Sequence, residues 1–194
     1  MSAAREALLD RCLAYLQETG FSDLSVREIA AGVGTSHRML IYHFGTREQL
    51  LVAVVERVEA IQRAALADLV SSDGDLAEVG RQFWRRVSDP ALAPATRLFF
   101  EIYSHALYRR RWTDSFRDAV VAAWAEPLAE LLVQRGLDPA EARRRARLGL
   151  AAARGLILDL LVTGEREIVD AAGDLLSELL TQPLTATARV LVAE

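Results

Sequence analysis

The chain has 194 residues, 52% of them apolar, with 23 basic and 27 acidic side chains and a formal net charge of −4. This is enough apolar material for a real core in one or two domains, and it excludes a generally basic coat that would hold nucleic acid anywhere along it. The single cysteine, Cys12, excludes an internal disulfide, and the basic residues are all arginine.

In chain order, residues 2–19 read as an amphipathic helix with Leu9, Cys12, Leu13 and Leu16 on one face, ended by Gly20, with Phe21 and Leu24 closing the joint to the second helix. Cys12 is read as a small core residue. The start, MSAAREALLDRC, has charges spread through it and no apolar targeting region. Ser25 and Glu28 have capping-box spacing and open the second helix, whose apolar face is Val26, Ile29, Ala30 and Val33. Gly34 supplies the permissive backbone of a sharp turn, and Ser36 is the N-cap of a third helix running to about His43. Thr46 with Gln49 opens a long helix to about Val70, in which Leu50, Leu51, Val54, Val58, Ile61 and Leu66 repeat near the helical period. No Pro or Gly interrupts it, so it reads as a stiff rod.

The segment SSDGD ends that pattern. A helix at about 75–88 stops at Asp89-Pro90, another runs from Pro94 to about Tyr108, and a third opens at Thr113 and reaches about Arg135 with a kink at Pro127. Asp138-Pro139 is an N-cap with Pro at the first helical position, opening a helix over 139–163 that Gly164 ends. A last helix occupies about 166–181, and the tail after Pro183 adds at most a turn. No strand-like alternation, repeat or low-complexity stretch is present, so the fold class is all-α. The longest apolar stretch, 148–163, is interrupted by Arg154 and Asp159 and is too short to cross a bilayer. The expected location is the cytoplasm.

The third helix carries the chemistry. With residues about 100° apart, Leu40, Ile41 and Phe44 share a packed arc, while Arg38, Met39, Tyr42 and His43 share a free one. Arginine can fork onto guanine, Tyr and His can hold phosphate oxygens, and an apolar side chain can meet a thymine methyl. Arg27 and Arg47, near the starts of the flanking helices, are expected to clamp phosphates. His37 lies near the packed arc, and capping, the edge of the core and a base contact all remain open for it.

Ile29, Ala30, Val33, Gly34, Thr35, Ser36, Leu40, Ile41, Tyr42, His43, Phe44, Thr46, Arg47, Glu48 and Leu50 together resemble, without a gap, the helix-turn-helix of the TetR family of transcriptional regulators. The resemblance implies a homodimer on a near-palindromic double-stranded DNA operator, released by a small molecule bound in the C-terminal helices. By position it places Arg27, Thr35, Ser36, His37, Arg38, Met39, Tyr42, His43 and Arg47 at the DNA. One departure is Ile41, where the family usually has tyrosine, and Ile41 is read as core. The expected division is a DNA-binding domain over 1–50 and a helical ligand-binding and dimerisation domain over 51–194.

Most of the aromatics fall between Phe83 and Trp124. The helix 94–108 is apolar nearly all round but carries a polar stripe of Arg97, Glu101, Ser104, His105 and Tyr108. Either that stripe is solvated, or it is the polar end of a cavity for a mostly apolar ligand walled by Phe83, Trp84, Phe99, Phe100, Tyr103, Phe116 and Trp124. The helix 139–163 begins with a charged segment read as solvated ion pairs, Glu141 with Arg145 among them. It continues apolar on most sides. Leu148, Ala152, Gly155, Leu156 and Leu160, with Leu175, Leu176 and Leu179 of the next helix, are the expected contact with a second copy.

The reading is a ligand-responsive DNA-binding regulator, with repression the expected output and no cofactor, catalytic set or metal site. Two rivals stand beside it: a small enzyme using Glu101 and His105 as acid and base, and a helical scaffold whose free face binds protein.

Overall fold

The computed structural model describes residues 3–19, 24–70 and 75–182. Gly20, Phe21, most of the SSDGD segment and the tail from Pro183 lie outside the described residues. Within them the chain is all-α: α1 (Ala3–Thr19), α2 (Val26–Gly32), α3 (His37–Phe44), α4 (Arg47–Val70), α5 (Leu76–Val87), α6 (Ala93–Leu107), α7 (Asp114–Ala119), α8 (Ala122–Gln134), α9 (Pro139–Thr163) and α10 (Arg166–Thr181), with single 3-10 turns at Pro90–Leu92 and Arg111–Thr113. Local chemistry sets several of these ends. Asp138 accepts from the N–H groups of Ala140 (2.9 Å) and Glu141 (3.2 Å) at the start of α9, and Gly164, at φ +73°, ends it. No described helix is long and apolar enough to cross a membrane.

The helices form two compact units, one of residues 1–65 and 88–127, the other of 66–87 and 128–194. In the first, Leu8, Leu9, Cys12, Leu13 and Leu16 of α1, Ile29 and Ala30 of α2, Leu40 and Phe44 of α3, and Leu98, Phe99 and Ile102 of α6 share a single core with α4. The expected one-sided stripe on α4 is corrected: Leu50, Leu51, Val52, Ala53, Val54 and Val55 are buried in succession, so this part of the helix is covered on all sides. Farther along, Ile61 is 40% exposed and Gln62 beside it only 6%. Burial here follows the neighbours α4 meets, not its apolar period. Cys12 is fully enclosed, and burial pushes its thiol up to about 11, against a smaller opposing pull from Arg11, so it is a poor nucleophile at neutral pH.

The helix expected over 113–135 is two helices. It breaks at Val120-Val121, two stiff β-branched residues, and Pro127 lies inside α8. On the near side of the break Thr113 and Phe116 are buried; beyond it Trp124 is buried as well and its indole N–H donates to Glu59 Oε2 at 2.7 Å.

In the second unit α10 packs on both α5 and α9. Trp84 of α5 is the anchor: it lies against Leu160 and Val169, and its indole N–H donates to Asp170 Oδ1 at 3.0 Å. Gly173 makes room for it, since a methyl there would sit 2.5 Å from the ring. Glu78 on the outer side of α5 accepts from Arg81 (2.9 Å), Gln82 (3.1 Å) and Arg85 (3.1 Å), which holds its carboxyl below the usual range.

The charged start of α9 also needs correction. Arg145 is not on a solvated surface: it is 8% exposed, its Nε donates to Glu141 Oε1 at 2.7 Å, and its Nη1 donates to the carbonyls of Leu180 (2.9 Å) and Gln182 (2.6 Å). It therefore satisfies carbonyls at the end of α10, where no helical partner is available. Arg145→Ala should cost about 2–4 kcal/mol, since it leaves two carbonyls without their charged donor and Glu141 with Arg144 as its remaining one. Urea unfolding measures this. The Arg145 hydrogen bond lowers the Glu141 pKa, so its contribution is present above the unfolded carboxylate value, about 4.3, and is lost as pH falls through the lower folded value.

Candidate nucleic-acid interface

The face is built by caps. Glu28 N–H donates to Ser25 Oγ at 3.3 Å and Ser25 N–H to Glu28 Oε2 at 2.7 Å, which completes the capping box and lowers the Glu28 pKa. The chain leaves α2 through Gly34 at φ +66°, a conformation that costs an L side chain, and Thr35 N–H returns to Ala30 O at 2.9 Å. Ser36 then caps α3, its Oγ accepting from Met39 N–H at 3.2 Å, and Thr46 and Gln49 exchange the same pair of bonds at the start of α4, 2.9 and 3.2 Å. Two short helices are thus fixed at a sharp turn by their own side chains.

What α3 turns inward is Leu40 and Phe44. Outward it presents Arg38, Met39, Tyr42 and His37, with Tyr42 78% exposed and its ring edge-on to that of half-buried His43 at 5.0 Å. Two expectations change. His37 is exposed, which removes the edge-of-core reading. Ile41 is 39% exposed, not core: with cover on one side only, Leu40 and Phe44 at i and i+4 fill the contact and Ile41 falls outside it.

Arg27 is exposed at the start of α2, whereas half-buried Arg47 turns back, its Nε donating to Leu24 O at 2.8 Å. It ties the start of α4 to the chain before α2. Arg5 is a residue that sequence reasoning missed. From α1 it lies over the Phe44 ring at 4.9 Å, and its Nε reaches His43 O at 3.3 Å, placing a cation on the C-terminal end of α3. Its i, i+3 and i+4 neighbours give no sign of this, because the partner is distant in sequence.

The other expected sites divide. Phe99, Phe100, Tyr103 and Phe116 form an aromatic cluster in the first unit, with centroids 5.2 to 6.2 Å apart and all but the tilted Phe99–Tyr103 pair edge-on. Trp124 belongs to that unit too, under Arg63 at 5.8 Å. Phe83 and Trp84 belong to the second unit, where Trp84 is a core anchor. The polar stripe of α6 is largely solvated: Arg97, Glu101, Ser104 and Tyr108 are exposed or half-buried, and the half-buried His105 stacks on Trp112 at 5.1 Å. Glu101 and His105 therefore do not point together into an enclosed site. Of the expected contact with a second copy, Leu160 is corrected to core and Leu156 packs partly against it. Leu148 (61%), Leu175 (53%) and Leu179 (55%) stand out in water with Gly155, Ala152 and Leu176 being exposed or half-buried around them, and Leu158, Val162 and Ile168 are exposed on the same two helices.

Residues 8–54 match the family described as bacterial regulatory proteins, tetR family. Among solved structures, a transcriptional regulator of Rhodococcus sp. Rha1 is 22% identical with a TM-score of 0.72, the match covering 92% of this chain and 96% of that one. A TetR transcriptional regulator from Legionella pneumophila is 17% identical (TM-score 0.66; 92% and 98% covered). The multidrug binding protein EbrR, solved with imidazole, is 26% identical (TM-score 0.65; 95% and 94% covered). No curated protein matches the chain.

The turn makes a direct demand on residue 34. Gly34→Ala meets no atom within 4 Å, so its cost is backbone strain alone, expected at about 1–2 kcal/mol by urea unfolding.

Proposed function

We propose that this chain is a DNA-binding transcriptional regulator that acts as a homodimer and represses transcription from a near-palindromic operator until a small molecule releases it; the match of residues 8–54 to the tetR family of bacterial regulatory proteins supports this reading. The observation that carries the reading is the outward face of α3, with its Arg, Tyr and His on a helix whose inward side is fully used by the core. Arg38 and Tyr42 are the principal contacts, His37, Met39 and His43 stand beside them, and Arg27 and the α3 start with Thr35 and Ser36 address phosphates. Arg47 acts through position, holding the turn. Ile41, with its side chain outside the core, is suited to a thymine methyl.

The functional division is DNA binding over 1–50 and ligand response and dimerisation over 51–194. The exposed leucines of α9 and α10 favour a second copy, since side chains of this size standing in water along two adjacent helices mark an interaction surface. Half-sites of such an operator lie about 34–36 Å apart, one turn of duplex, so each copy of α3 would read one of them. The ligand site is placed at the aromatic cluster of α6 and α7 near Trp124. There the Trp124–Glu59 hydrogen bond links α8 to α4, the helix that begins at the DNA-binding head. A ligand that prefers the wrong spacing of the two heads shifts the population away from DNA.

A mobility shift on the duplex upstream of the chain's own gene should show salt-sensitive binding. Arg38→Ala or Tyr42→Ala should weaken it by roughly 5- to 150-fold, the equivalent of one good base or phosphate contact. Binding unchanged in both variants sinks the assignment of α3. Independently, Leu148→Glu with Leu175→Glu should convert the dimer to monomer in sedimentation while leaving the helical circular dichroism in place.

A further inference from the structure

The turn between α6 and α7 takes no part in the proposed function, and it is built for display. Leu107 and Tyr108 are 72% and 77% exposed, and Arg109, Arg110 and Arg111 come next, all exposed and making no ion pair among the described residues. Arg109 has φ +51°, the one non-glycine among the described residues in the left-handed region. It sits just after the C-cap of α6, its N–H donating to Ala106 O at 3.1 Å, a place where glycine is the usual solution. Here the chain keeps a cation and accepts the strain.

The turn is also held. The His105 ring lies on Trp112 at 5.1 Å, Trp112 packs against the core of the first unit, and buried Thr113 donates its hydroxyl to Arg110 O at 2.7 Å. Just beyond, Ser115 Oγ donates to Glu56 Oε1 of α4 at 3.2 Å, about 13–14 Å along that helix from Arg47 at 1.5 Å per residue. The next carboxylate along the chain, Asp114, is engaged by Arg117 at 2.9 Å. Three arginines are therefore carried on one short turn whose backbone is held, on the same compact unit as α3, in a chain that is otherwise net acidic.

We propose that Arg109, Arg110 and Arg111 form a second, sequence-independent contact to the phosphate backbone of the duplex that α3 reads. This rests on the DNA-binding function proposed for α3. Consecutive exposed cations with no carboxylate partner among the described residues match a polyanion, and the held backbone of the turn lowers the entropy lost on binding.

The test is fluorescence anisotropy across a salt series, on the duplex upstream of the chain's own gene and on an unrelated duplex of equal length. Replacing all three residues by alanine should weaken both complexes by a similar factor, on the order of tenfold or more, and flatten log K against log[salt] by about 0.9 for each phosphate released. The three-lysine variant should keep the slope. Arg109→Gly relieves the strain and should raise Tm by about 2–4 °C while weakening DNA binding. An unchanged slope in the alanine variant, with Arg38→Ala still defective, overturns this proposal and leaves the function standing. The same result accompanied by wild-type binding to phosphatidylserine vesicles that the alanine variant loses assigns the turn to a membrane surface and overturns it too. Absence of salt-sensitive binding by the wild-type chain overturns the DNA function itself.

Discussion

Leu50 through Val55 are buried on every side of α4, so this stretch of one helix is common core to everything packed around it. The inward residues of α3, Leu40 and Phe44, belong to the same cluster as Phe99 and Ile102 of α6 and Phe116 of α7. A head built this way is not a bead on a flexible string. Its orientation is set by the packing of α4, and close-packed interiors respond to a change on one side by repacking and not by bending smoothly. Arg57 of α4, paired with Asp10 of α1 at 2.9 Å, and Arg47, bonded to Leu24 O, fasten the remaining corners to that same helix.

How much of this is legible in the sequence depends on the range of the interaction. Caps and turns involve residues three or four apart, and Ser25 with Glu28, Ser36, Thr46 with Gln49, Asp138-Pro139 and Gly164 all do what their spacing implies. The fold class and the family resemblance follow from the same local signals. Where sequence reasoning fails, the decisive partner is distant. The angle of Ile41 assigns it to the core, but a helix covered on one side has a narrower contact than its apolar residues suggest. Gln62 is buried and Ile61 is 40% exposed, the reverse of what their polarity implies. Arg145 reads as one more charge in an arginine-rich run, and only the arrival of Leu180 and Gln182, more than thirty positions away, gives it work.

The aromatic residues show the same limit from another direction. Clustering in sequence between Phe83 and Trp124 suggests one wall, yet Trp84 is committed to Gly173, Val169 and Asp170 in the second unit. Phe99, Tyr103 and Phe116 pack against one another in the first. An indole whose N–H is already bonded and whose face is covered by a neighbouring helix has a structural assignment before any ligand is considered.

Charge placement resolves the tension between a net acidic chain and an anionic partner. Arg57, Arg81, Arg117, Arg144, Arg145 and Arg166 each face a carboxylate of the same chain, within 3.5 Å in every case. These pairs cancel charge locally and contribute little field at a distance. Arg27, Arg38 and the run from Arg109 to Arg111 have no such partner among the described residues, so their field is not cancelled nearby. In a chain of net charge −4, a polyanion would be attracted chiefly where those uncancelled cations lie, and that contrast favours one orientation of encounter over the others. Adding uniform positive charge would erase that contrast, so under the proposed function the acidic balance elsewhere is part of how a few arginines would select one face for DNA.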